Sequence, residues 1–504
     1  MTNRRIAALT AGILSASAIL PYLLDLGYRP LDGEVLILTV LASVIGGALG
    51  FALAPVTKAY HALLGVIVYW IADCYFVNSE NLLLLAVAAG ATVYLVMGTR
   101  YRMNLQPMLL TFGVFWIISN LLSPAREFIN PPLPGVAEAG NSLPPIIHVI
   151  LDEQASPEAL PETVPGNGHP AGRMVQTLAD SGFEVYPNVM SASDHTRFSL
   201  ANLFSRTGSA DNFGAGSGQF TLAIKNNDIL AQLTDAGYRV TVIQSNYLDI
   251  CADAKDVSCH TYNRAGSGHA FATRSSDLGL RTRLALIELH AYLHGSQVFG
   301  GVFVYNLAAR LMRHAGLPMN ETVYYSRPPA LIDLIASLKP RFENIKSGEA
   351  YVMHLVVPHS PFVLRSDCSV NDPRNFAQRA GEDVVPKTEA DIYPLYWDQS
   401  ACTIRTLLTA LDGLKASPAG KDAIVMIHGD HGARITIGNE HAHDEKDMLQ
   451  TLFAIRRGSS PGAVNRDPKI LQDLFRQQVA QILAPSNKQV SQALPELRKG
   501  IYGN

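Results

Sequence analysis

Acidic and histidine side chains follow three β-favouring apolar runs that lie far apart in the sequence. The polar residues at the ends of these runs are Asp152 with Glu153, His359, and Asp430 with His431. Buried parallel strands deliver polar groups in this way to the carboxyl edge of a sheet, where α/β enzymes hold metals and phosphates. Asp and His together suit Zn²⁺ or Mn²⁺, with Mg²⁺ as a third option. The pattern predicts a metal-dependent site for phosphoryl transfer.

The region after residue 145 alternates between strand-like and helical patterns. This alternation predicts the α/β class, with a mostly parallel central sheet and helices on both of its faces. The strand-like runs are 146–151, 239–244, 351–357, 424–427 and 452–455. The helical runs are 174–181, 229–236, 331–338, 400–414 and 470–483.

The first 122 residues carry most of the apolar excess of a chain that is 48% hydrophobic and only 16% charged. Five apolar runs there approach the ~20 residues that cross a ~30 Å hydrocarbon core. They cover residues 6–24, 35–53, 62–77, 82–97 and 108–122. With five spans, five basic residues before or between the spans fall on one side of the membrane. They are Arg4, Arg5, Lys58, Arg100 and Arg102. The positive-inside rule then places the N-terminus in the cytoplasm and everything after residue 122 outside it.

The predicted organisation has three parts. Residues 1–122 form a five-helix transmembrane bundle, residues 123–145 form a stiff Pro-rich linker, and residues 146–504 form an extracytoplasmic α/β domain. Two alternatives stay open. A cleaved signal peptide would cover residues 1–18, although its removal would reverse the remaining spans against their charges. The apolar stretch 280–311 forms either core helices or an amphipathic surface on the membrane.

The cysteines outside the apolar spans agree with an exported domain. Cys251 and Cys259 flank a polar stretch after a predicted strand, where a disulfide would close a small loop. Cys368 and Cys402 could form a second bridge. Thiolate ligation of a metal is the competing interpretation, but no C-x-x-C spacing occurs. The net charge of −3 comes without a basic stripe or a zinc-finger spacing, so the sequence indicates no nucleic-acid partner.

These segments together resemble the alkaline-phosphatase-like or sulfatase-like superfamily. Within it the chain is similar to membrane-anchored transferases, namely lipoteichoic acid synthases, phosphoglycerol transferases and lipid A phosphoethanolamine transferases. The resemblance implies that Asp430 and His431, within the sequence Gly-Asp-His-Gly, bind the metal and that Asp152 is the first acidic ligand. It also implies that His359, within Pro-His-Ser-Pro, contacts the transferred phosphoryl group.

The segment 191–200, SASDHTRFSL, resembles the part of these proteins that carries the nucleophilic threonine. Thr196 takes that position, and the resemblance makes its hydroxyl both the nucleophile and a metal ligand. Ser193 is the alternative nucleophile. Thr196 could instead cap the following helix, although a hydroxyl at a helix N-terminus is also where a phosphate is held.

Three further assignments stay open. Glu153 is the alternative to Asp152 as an acidic ligand. His443, and with a poorer fit His441, match the spacing of a substrate-binding histidine in phosphoethanolamine transferases, or lie on a polar surface loop. His354 alternates with its strand and is interpreted as a core residue.

Two departures from the superfamily narrow the expected activity. Sulfatases need a C/S-x-P-S-R-type sequence, and none occurs here, which argues against sulfatase activity. Ala192 and Asn202 stand where phosphoethanolamine transferases carry paired cysteines. The resemblance therefore implies a transferase that moves phosphoglycerol from a phospholipid donor to a glycan or glycolipid through a phosphothreonine.

That activity implies a multi-pass protein of the cytoplasmic membrane whose catalytic domain lies on the periplasmic or extracellular side. His359 would stabilise the phosphoryl oxygens or protonate the leaving group. A phosphoethanolamine transferase, a periplasmic phosphodiesterase or phosphatase, and a catalytically idle membrane assembly are the other functions that the sequence leaves open.

Overall fold

The computed structural model describes residues 2–56, 59–60, 63–64, 67, 102–122, 128–130, 142–159, 173–205, 212–294, 310, 325–378, 387–436 and 445–484. Predicted span four, most of span three and most of the predicted linker lie outside these residues. His441 and His443 also lie outside them, so their predicted role stays a prediction.

The helices of the described residues are numbered here in chain order. They are α1 (Thr2–Asp25), α2 (Gly33–Leu53), α3 (Arg102–Leu122), α4 (Met174–Asp180), α5 (Thr196–Phe204), α6 (Asp228–Asp235), α7 (His269–Arg274), α8 (Leu278–His294), α9 (Arg327–Ser337), α10 (Lys339–Glu343), α11 (Glu389–Leu411), α12 (Glu445–Leu449) and α13 (Leu471–Leu483).

The apolar N-terminal part contributes α1, α2 and α3. By length and composition, the helical stretches Arg4–Asp25 and Gly33–Leu53 are long and apolar enough to cross a membrane. In α3 the apolar part, Leu109–Leu121, is shorter. α1 packs against both α2 and α3. The described residues thus contain two membrane-length helices, and the five-helix bundle stays a prediction.

Small residues let α1 and α2 approach each other closely. A Cβ atom added at Gly50 would lie 2.7 Å from the carbonyl oxygen of Ala7 in α1. A Cβ atom added at Gly46 would collide with the side chain of Ser15 in α1. Glycines four residues apart are typical of helix pairs in membranes. On its outer face α2 exposes large apolar side chains such as Val40 and Val44, which favours contact with lipid.

The strands form one large sheet and one small one. They are β1 (Ile129–Asn130), β2 (Ile146–Leu151), β3 (Glu184–Met190), β4 (Phe213–Ala215), β5 (Leu222–Ile224), β6 (Arg239–Ser245), β7 (Leu248–Asp249), β8 (Val257–Tyr262), β9 (Glu349–Leu355), β10 (Ile424–Gly429), β11 (Gln450–Arg457), β12 (Ala463–Val464) and β13 (Lys469–Ile470).

The large sheet has the order β1-β8-β6-β9-β2-β10-β11-β3-β12, with β13 also paired to β3. The central strands β8, β6, β9, β2 and β10 are all parallel, whereas β11 runs antiparallel to β10 and β3. β1 comes from the predicted linker and forms one edge of the sheet, where it pairs antiparallel with β8. The mostly parallel sheet agrees with the prediction.

Helices cover both faces of this sheet. Ile147, Val149 and Leu151 of β2 point into a core formed with α4, α9, α10 and α11. Ile146 and Ile150 point into a second core formed with α5, α6 and α13. Because both faces are buried, β2 is apolar on both faces except for the buried His148, as is typical of strands in parallel sheets.

Some predicted boundaries were wrong. The run 400–414 is the second half of a longer helix, α11, which starts at Glu389 and continues through Pro394. Its start is set by a capping box in which Thr388 and Asp391 exchange hydrogen bonds with each other's backbone N–H. Strands β3 and β8 were missing from the prediction altogether.

Two disulfides link segments of the α/β domain. Cys251 and Cys259 are joined, which closes the loop before β8, as the sequence predicted. Cys368 and Cys402 are also joined, which fixes the segment after β9 to α11. Disulfides persist in oxidising compartments, so both bonds suit an exported domain.

The turn between α1 and α2, residues 26–32, packs directly against the α/β domain. The carbonyl of Leu26 accepts a hydrogen bond from the N–H of Gly268 at 2.8 Å. Asp32 lies 3.0 Å from His269 Nδ1, and Glu34 at the start of α2 pairs with Arg281 of α8. The N-terminal hairpin and the α/β domain therefore share an interface.

Candidate metal and phosphoryl site

The strand order brings the predicted site residues together. β9, β2 and β10 are neighbours in the sheet, so the segments that follow them meet at one carboxyl edge. Asp152 follows β2, Asp430 and His431 follow β10, and His359 comes after β9. Thr196 reaches the same place from the first turn of α5, a helix that packs on the sheet face covered by α5, α6 and α13.

Thr196 directs its hydroxyl into the acidic cluster. Its Oγ1 lies 3.2 Å from His431 Nε2 and 3.4 Å from Asp152 Oδ1. His195, with extended backbone angles, is the N-cap of α5, so Thr196 is the first helical residue and not the cap. The alternative hydroxyl, that of Ser193, accepts a hydrogen bond from the N–H of His195.

His431 presents one ring nitrogen to the cluster. Its Nδ1 lies 2.9 Å from the carbonyl oxygen of Gly432, to which it donates a hydrogen bond as the protonated nitrogen. Nε2 then keeps its lone pair and faces Thr196 Oγ1 and, at 3.2 Å, Asp430 Oδ2. A histidine held through Nδ1 with Nε2 free is the usual arrangement of a metal ligand.

The two carboxylate oxygens of Asp430 have different surroundings. Oδ1 accepts hydrogen bonds from the N–H groups of Glu153 and His431, both at 3.0 Å. Oδ2 is buried and accepts no hydrogen bond from the described residues. A buried carboxylate oxygen without a donor is costly unless a cation meets it. This oxygen therefore fits the role of a metal ligand.

Asp152 is held as a carboxylate at the centre of the cluster. Burial raises its pKa, but His359, His354 and His431 more than offset that effect and keep the pKa below its usual value. Asp152, Glu153 and His431 form one group whose ligand atoms lie within 4.8 Å of one another. Asp152, His354 and Asp430 form a second such group. Asp152 belongs to both groups, whereas its alternative, Glu153, belongs to one.

Glu153 adopts a backbone conformation that is rare for its residue type. Its φ is 64°, in the left-handed region, and its side chain is buried. Such a residue costs about 1–3 kcal/mol and is found mostly at functional sites. The hydroxyl of Tyr396 donates to the Glu153 carbonyl at 2.7 Å and accepts from the N–H of Ala155 at 2.8 Å. Tyr396 thereby holds the turn after β2.

His354 lies closer to the site than its interpretation as a core residue implied. It is fully buried, and its Nε2 lies 3.6 Å from Asp152 Oδ2. Neither ring nitrogen has a hydrogen-bond partner among the described residues. Alternation along the strand correctly placed this ring inside the protein, but it could not reveal that β9 ends beside Asp152.

Arg327 is a site residue that the sequence did not suggest. As the first residue of α9, it donates to the carbonyl of Ser360, and its Nη2 lies 3.2 Å from His359 Nδ1. Its Nε is buried and has no acceptor among the described residues. Burial lowers the pKa of Arg327 to about 10, with Asp152 acting in the opposite direction, so the guanidinium is cationic at neutral pH.

The segment around His359 is held by Gln399 of α11. The Gln399 side-chain amide donates to the carbonyls of Pro358, His359 and Pro361 at 3.1–3.3 Å, and its oxygen accepts from the N–H of Val363. The ring of His359 is 23% exposed, and its Nε2 lies 3.6 Å from Glu153 Oε1. The ring thus borders both the cluster and solvent.

We expect Gln399→Leu to damage this segment selectively. Several buried carbonyl and N–H groups would lose their partner at about 1–3 kcal/mol each, so we expect the free energy of unfolding to fall by at least about 2 kcal/mol. Chemical denaturation measures the change. Thr403→Val is the control, because among the described residues the Thr403 hydroxyl bonds within the helix alone, to the carbonyl of Gln399. Equal losses in both variants would contradict a special role for Gln399.

No protein-family model matches the sequence, and no curated protein matches it. Among solved structures, the C-terminal periplasmic domain of EcEptC from Escherichia coli matches with 11% identity and a TM-score of 0.37, over 70% of this chain and 86% of that one. The phosphonate monoester hydrolase of Agrobacterium radiobacter matches with 13% identity and a TM-score of 0.38, over 67% and 73%. A 2-O GAG sulfatase, BT1596, matches with 10% identity and a TM-score of 0.38, over 69% and 72%. These scores are too low to support a functional assignment.

Proposed function

We propose that this protein is a membrane-anchored, metal-dependent phosphoryl-group transferase of the alkaline-phosphatase/sulfatase-like superfamily. In this proposal it moves phosphoglycerol from a phospholipid to a glycan or glycolipid through a phosphothreonine. The observation that carries the proposal is the position of the Thr196 hydroxyl, 3.2 Å from His431 Nε2 and 3.4 Å from Asp152 Oδ1. A hydroxyl among carboxylates and histidine at a helix N-terminus suits a nucleophile that attacks phosphorus.

The donor set fits a divalent metal ion. We propose that Asp152, Asp430 and His431 would hold it together with the Thr196 hydroxyl. The ligand atoms of Asp152 converge with those of His431 in one group and with those of Asp430 in the other. Asp430 Oδ2 is a buried oxygen that such an ion would satisfy. Carboxylate and imidazole ligands favour Zn²⁺ or Mn²⁺, with Mg²⁺ as the third option. When bound, the ion favours an ionised Thr196 hydroxyl and stabilises negative charge on the phosphoryl oxygens.

The chain's own side chains then carry the chemistry. Thr196 Oγ1, in its ionised form, attacks the phosphorus of the donor and forms a bond to it, while the bond from phosphorus to the diacylglycerol oxygen breaks. His359, which borders the cluster and solvent, donates a proton to the departing oxygen. Arg327 stabilises the phosphoryl oxygens through its buried Nε and its neighbouring N–H groups.

A second displacement completes the transfer. A hydroxyl of the glycan attacks the same phosphorus, loses its proton to His359, and displaces Thr196 Oγ1. Overall, the reaction consumes one phosphatidylglycerol and one acceptor hydroxyl. It forms one diacylglycerol and one glycerol-phosphate ester of the acceptor. Thr196 leaves in its ionised form and His359 is protonated again, so both return to the states in which the reaction began.

The N-terminal helices support a lipid donor. The turn at residues 26–32 contacts the α/β domain, so the end of this helical hairpin is docked on the domain that carries the site. With five spans and the N-terminus in the cytoplasm, this turn and the α/β domain fall on the same, outer side of the membrane. The division into residues 1–122, 123–145 and 146–504 is part of this proposal, as are the cytoplasmic membrane and its periplasmic or extracellular side.

Phosphoglycerol is preferred to phosphoethanolamine because the flanking cysteine pair is missing. Asn202 is instead engaged by Arg476, whose Nη2 donates to the Asn202 carbonyl at 2.8 Å. Ala192 donates its N–H to Gln472 Oε1 at 3.0 Å. The segment before α5 and the last turn of α5 are therefore anchored to α13 by hydrogen bonds, in place of a disulfide at these positions.

The test uses full-length protein in vesicles that contain phosphatidylglycerol or phosphatidylethanolamine with a labelled head group, with Mn²⁺ and a glycan acceptor. We expect diacylglycerol release from phosphatidylglycerol and transfer of the label to the glycan. Phosphatidylethanolamine as the better donor would replace the phosphoglycerol assignment. Label released to water regardless of acceptor would make the protein a phosphodiesterase, and consumption of neither lipid would remove the proposed donor class.

A further inference from the structure

A buried tyrosine connects the N-terminal hairpin to the α/β domain. Tyr28, in the turn between α1 and α2, is 1% exposed, and its hydroxyl donates to Glu288 Oε2 at 3.1 Å. A Cβ atom at Gly268 would lie 2.1 Å from the Tyr28 ring, so the domain has a slot for this side chain. The hairpin therefore supplies the ring of this contact, and the α/β domain supplies the space that accommodates it.

Glu288 of α8 carries this connection onwards to the start of α9. Its second oxygen, Oε1, accepts a hydrogen bond at 2.7 Å from the N–H of Ser326, the residue before Arg327. The backbone of Arg327 also packs against Gly266, where an added Cβ would lie 2.5 Å from the Arg327 nitrogen. Glu288 is itself buried, so its two hydrogen bonds have no competition from solvent.

Arg327 in turn reaches the candidate site. Its guanidinium binds the Ser360 carbonyl and borders His359, while its Nε is left without an acceptor among the described residues. Hydrogen bonds and one step of backbone thus lead from Tyr28 through Glu288 and Ser326 to Arg327. Small movements at the start of α9 would shift the guanidinium relative to the Thr196 cluster.

We propose that Glu288 is a positioning residue that, braced by Tyr28 of the membrane hairpin, fixes Arg327 as the arginine that binds the phosphoryl group. The inference rests on the proposed function for the identity of the anion. It adds that the anion site is complete only when the hairpin turn is docked. A hairpin displaced from the domain would leave Thr196 and its acidic neighbours in place but weaken the binding of phosphate.

The experiment measures binding of inorganic phosphate to Mn²⁺-loaded, full-length protein in nanodiscs by equilibrium dialysis. We expect Arg327→Ala and Glu288→Ala each to weaken binding about tenfold, which corresponds to about 1.4 kcal/mol. Glu288→Gln keeps an acceptor for the Ser326 N–H and should stay within about threefold of the unmodified protein. Tyr28→Phe, which removes only the hydroxyl, should weaken binding about threefold and serves if Glu288→Ala does not fold.

The double variant separates positioning from general support of the fold. If Glu288 acts through Arg327, then Glu288→Ala combined with Arg327→Ala should bind phosphate no more weakly than Arg327→Ala alone. His269→Gln is the matched control. It alters the contact between His269 and Asp32 of the same turn, and this contact does not involve Ser326. Its phosphate affinity should not change.

The outcomes distinguish this inference from the proposed function. An unmodified protein that binds no phosphate would overturn the proposed function itself. Phosphate binding that is sensitive to Arg327→Ala but equal in Tyr28→Phe, Glu288→Ala and His269→Gln would overturn the positioning role alone. Additive losses in the double variant would also overturn it, because they would mean that Glu288 acts independently of Arg327.

Discussion

Thr196→Ala should abolish transfer, lowering turnover by roughly 10³-fold or more, because it removes the only atom proposed to bond to phosphorus. The same variant should also fail to form a covalent intermediate. Full-length protein given phosphatidylglycerol without an acceptor should accumulate a glycerol-phosphate diester on the peptide that contains Thr196. Mass spectrometry of proteolytic peptides detects the adduct, and release of diacylglycerol in the first turnover measures the same step.

Two variants sharpen this prediction. Thr196→Ser keeps the oxygen and loses only the methyl group that restricts χ1, so we expect partial activity and a partial adduct. Ser193→Ala is the matched control, because the Ser193 hydroxyl accepts from the His195 N–H and is not placed against Asp152 or His431. An adduct on Ser193, or full turnover by Thr196→Ala, would contradict the assigned nucleophile.

The strand ends that carry Asp152, Asp430 and His431 could be predicted because of how parallel strands are buried. β2 and β10 are covered on both faces, so each is an apolar run, interrupted only by one buried histidine, that stops where the sheet ends. Asp152, Asp430 and His431 stand at these stops, and local sequence alone marks them. Strand order was not predictable in the same way, because pairings between distant segments leave no trace in periodicity.

The elements that were missed carry polar or helix-breaking residues. β3 contains Pro187, which counts against a strand, yet its neighbours still pair with β11 on one side and with β12 and β13 on the other. β8 reads Val-Ser-Cys-His-Thr-Tyr, with too little apolar alternation to stand out. In α11, Pro394 lies near the start of the helix, and the capping box before it was the stronger signal.

Arg327 was missed, and His354 was interpreted as a core residue, for a different reason. The partners of both residues come from other elements, which local sequence does not reveal. Arg327 meets His359 only because α9 begins beside the segment that follows β9. His354 faces Asp152 because β9 and β2 are adjacent and parallel. Tertiary neighbours of this kind cannot be inferred from local patterns.

Asp430→Asn should abolish both metal binding and transfer while the protein stays folded. Asp430 Oδ1 accepts hydrogen bonds from the N–H groups of Glu153 and His431 at 3.0 Å, and the amide oxygen of an asparagine can accept both. The change is concentrated at Oδ2, where a neutral NH₂ replaces the buried oxygen that has no donor among the described residues. The thermal transition should therefore move little, whereas a metal ligand and its charge are lost.

His431→Ala should have the same effect on activity, because Nε2 is the atom that faces both Thr196 and Asp430. Metal content by elemental mass spectrometry and turnover of phosphatidylglycerol test both variants. We expect metal affinity to fall by more than the 10–100-fold that is typical for residues that only support metal ligands, and turnover to fall by roughly 10³-fold.

Asp447→Asn provides the matched control for the ligand variants. Asp447 is also a buried acid near this edge of the sheet, but its oxygens accept from the hydroxyls of Tyr393 and Thr436 at 2.7 Å and 3.0 Å. Its replacement should lower stability by about 1–2 kcal/mol, because one hydrogen-bond partner is mismatched, and should leave the metal in place. If Asp430→Asn retained metal and turnover while Asp447→Asn lost both, the ligands would have to be sought around Asp447. Full metal content with no turnover in Asp430→Asn would limit Asp430 to orienting Thr196 and His431.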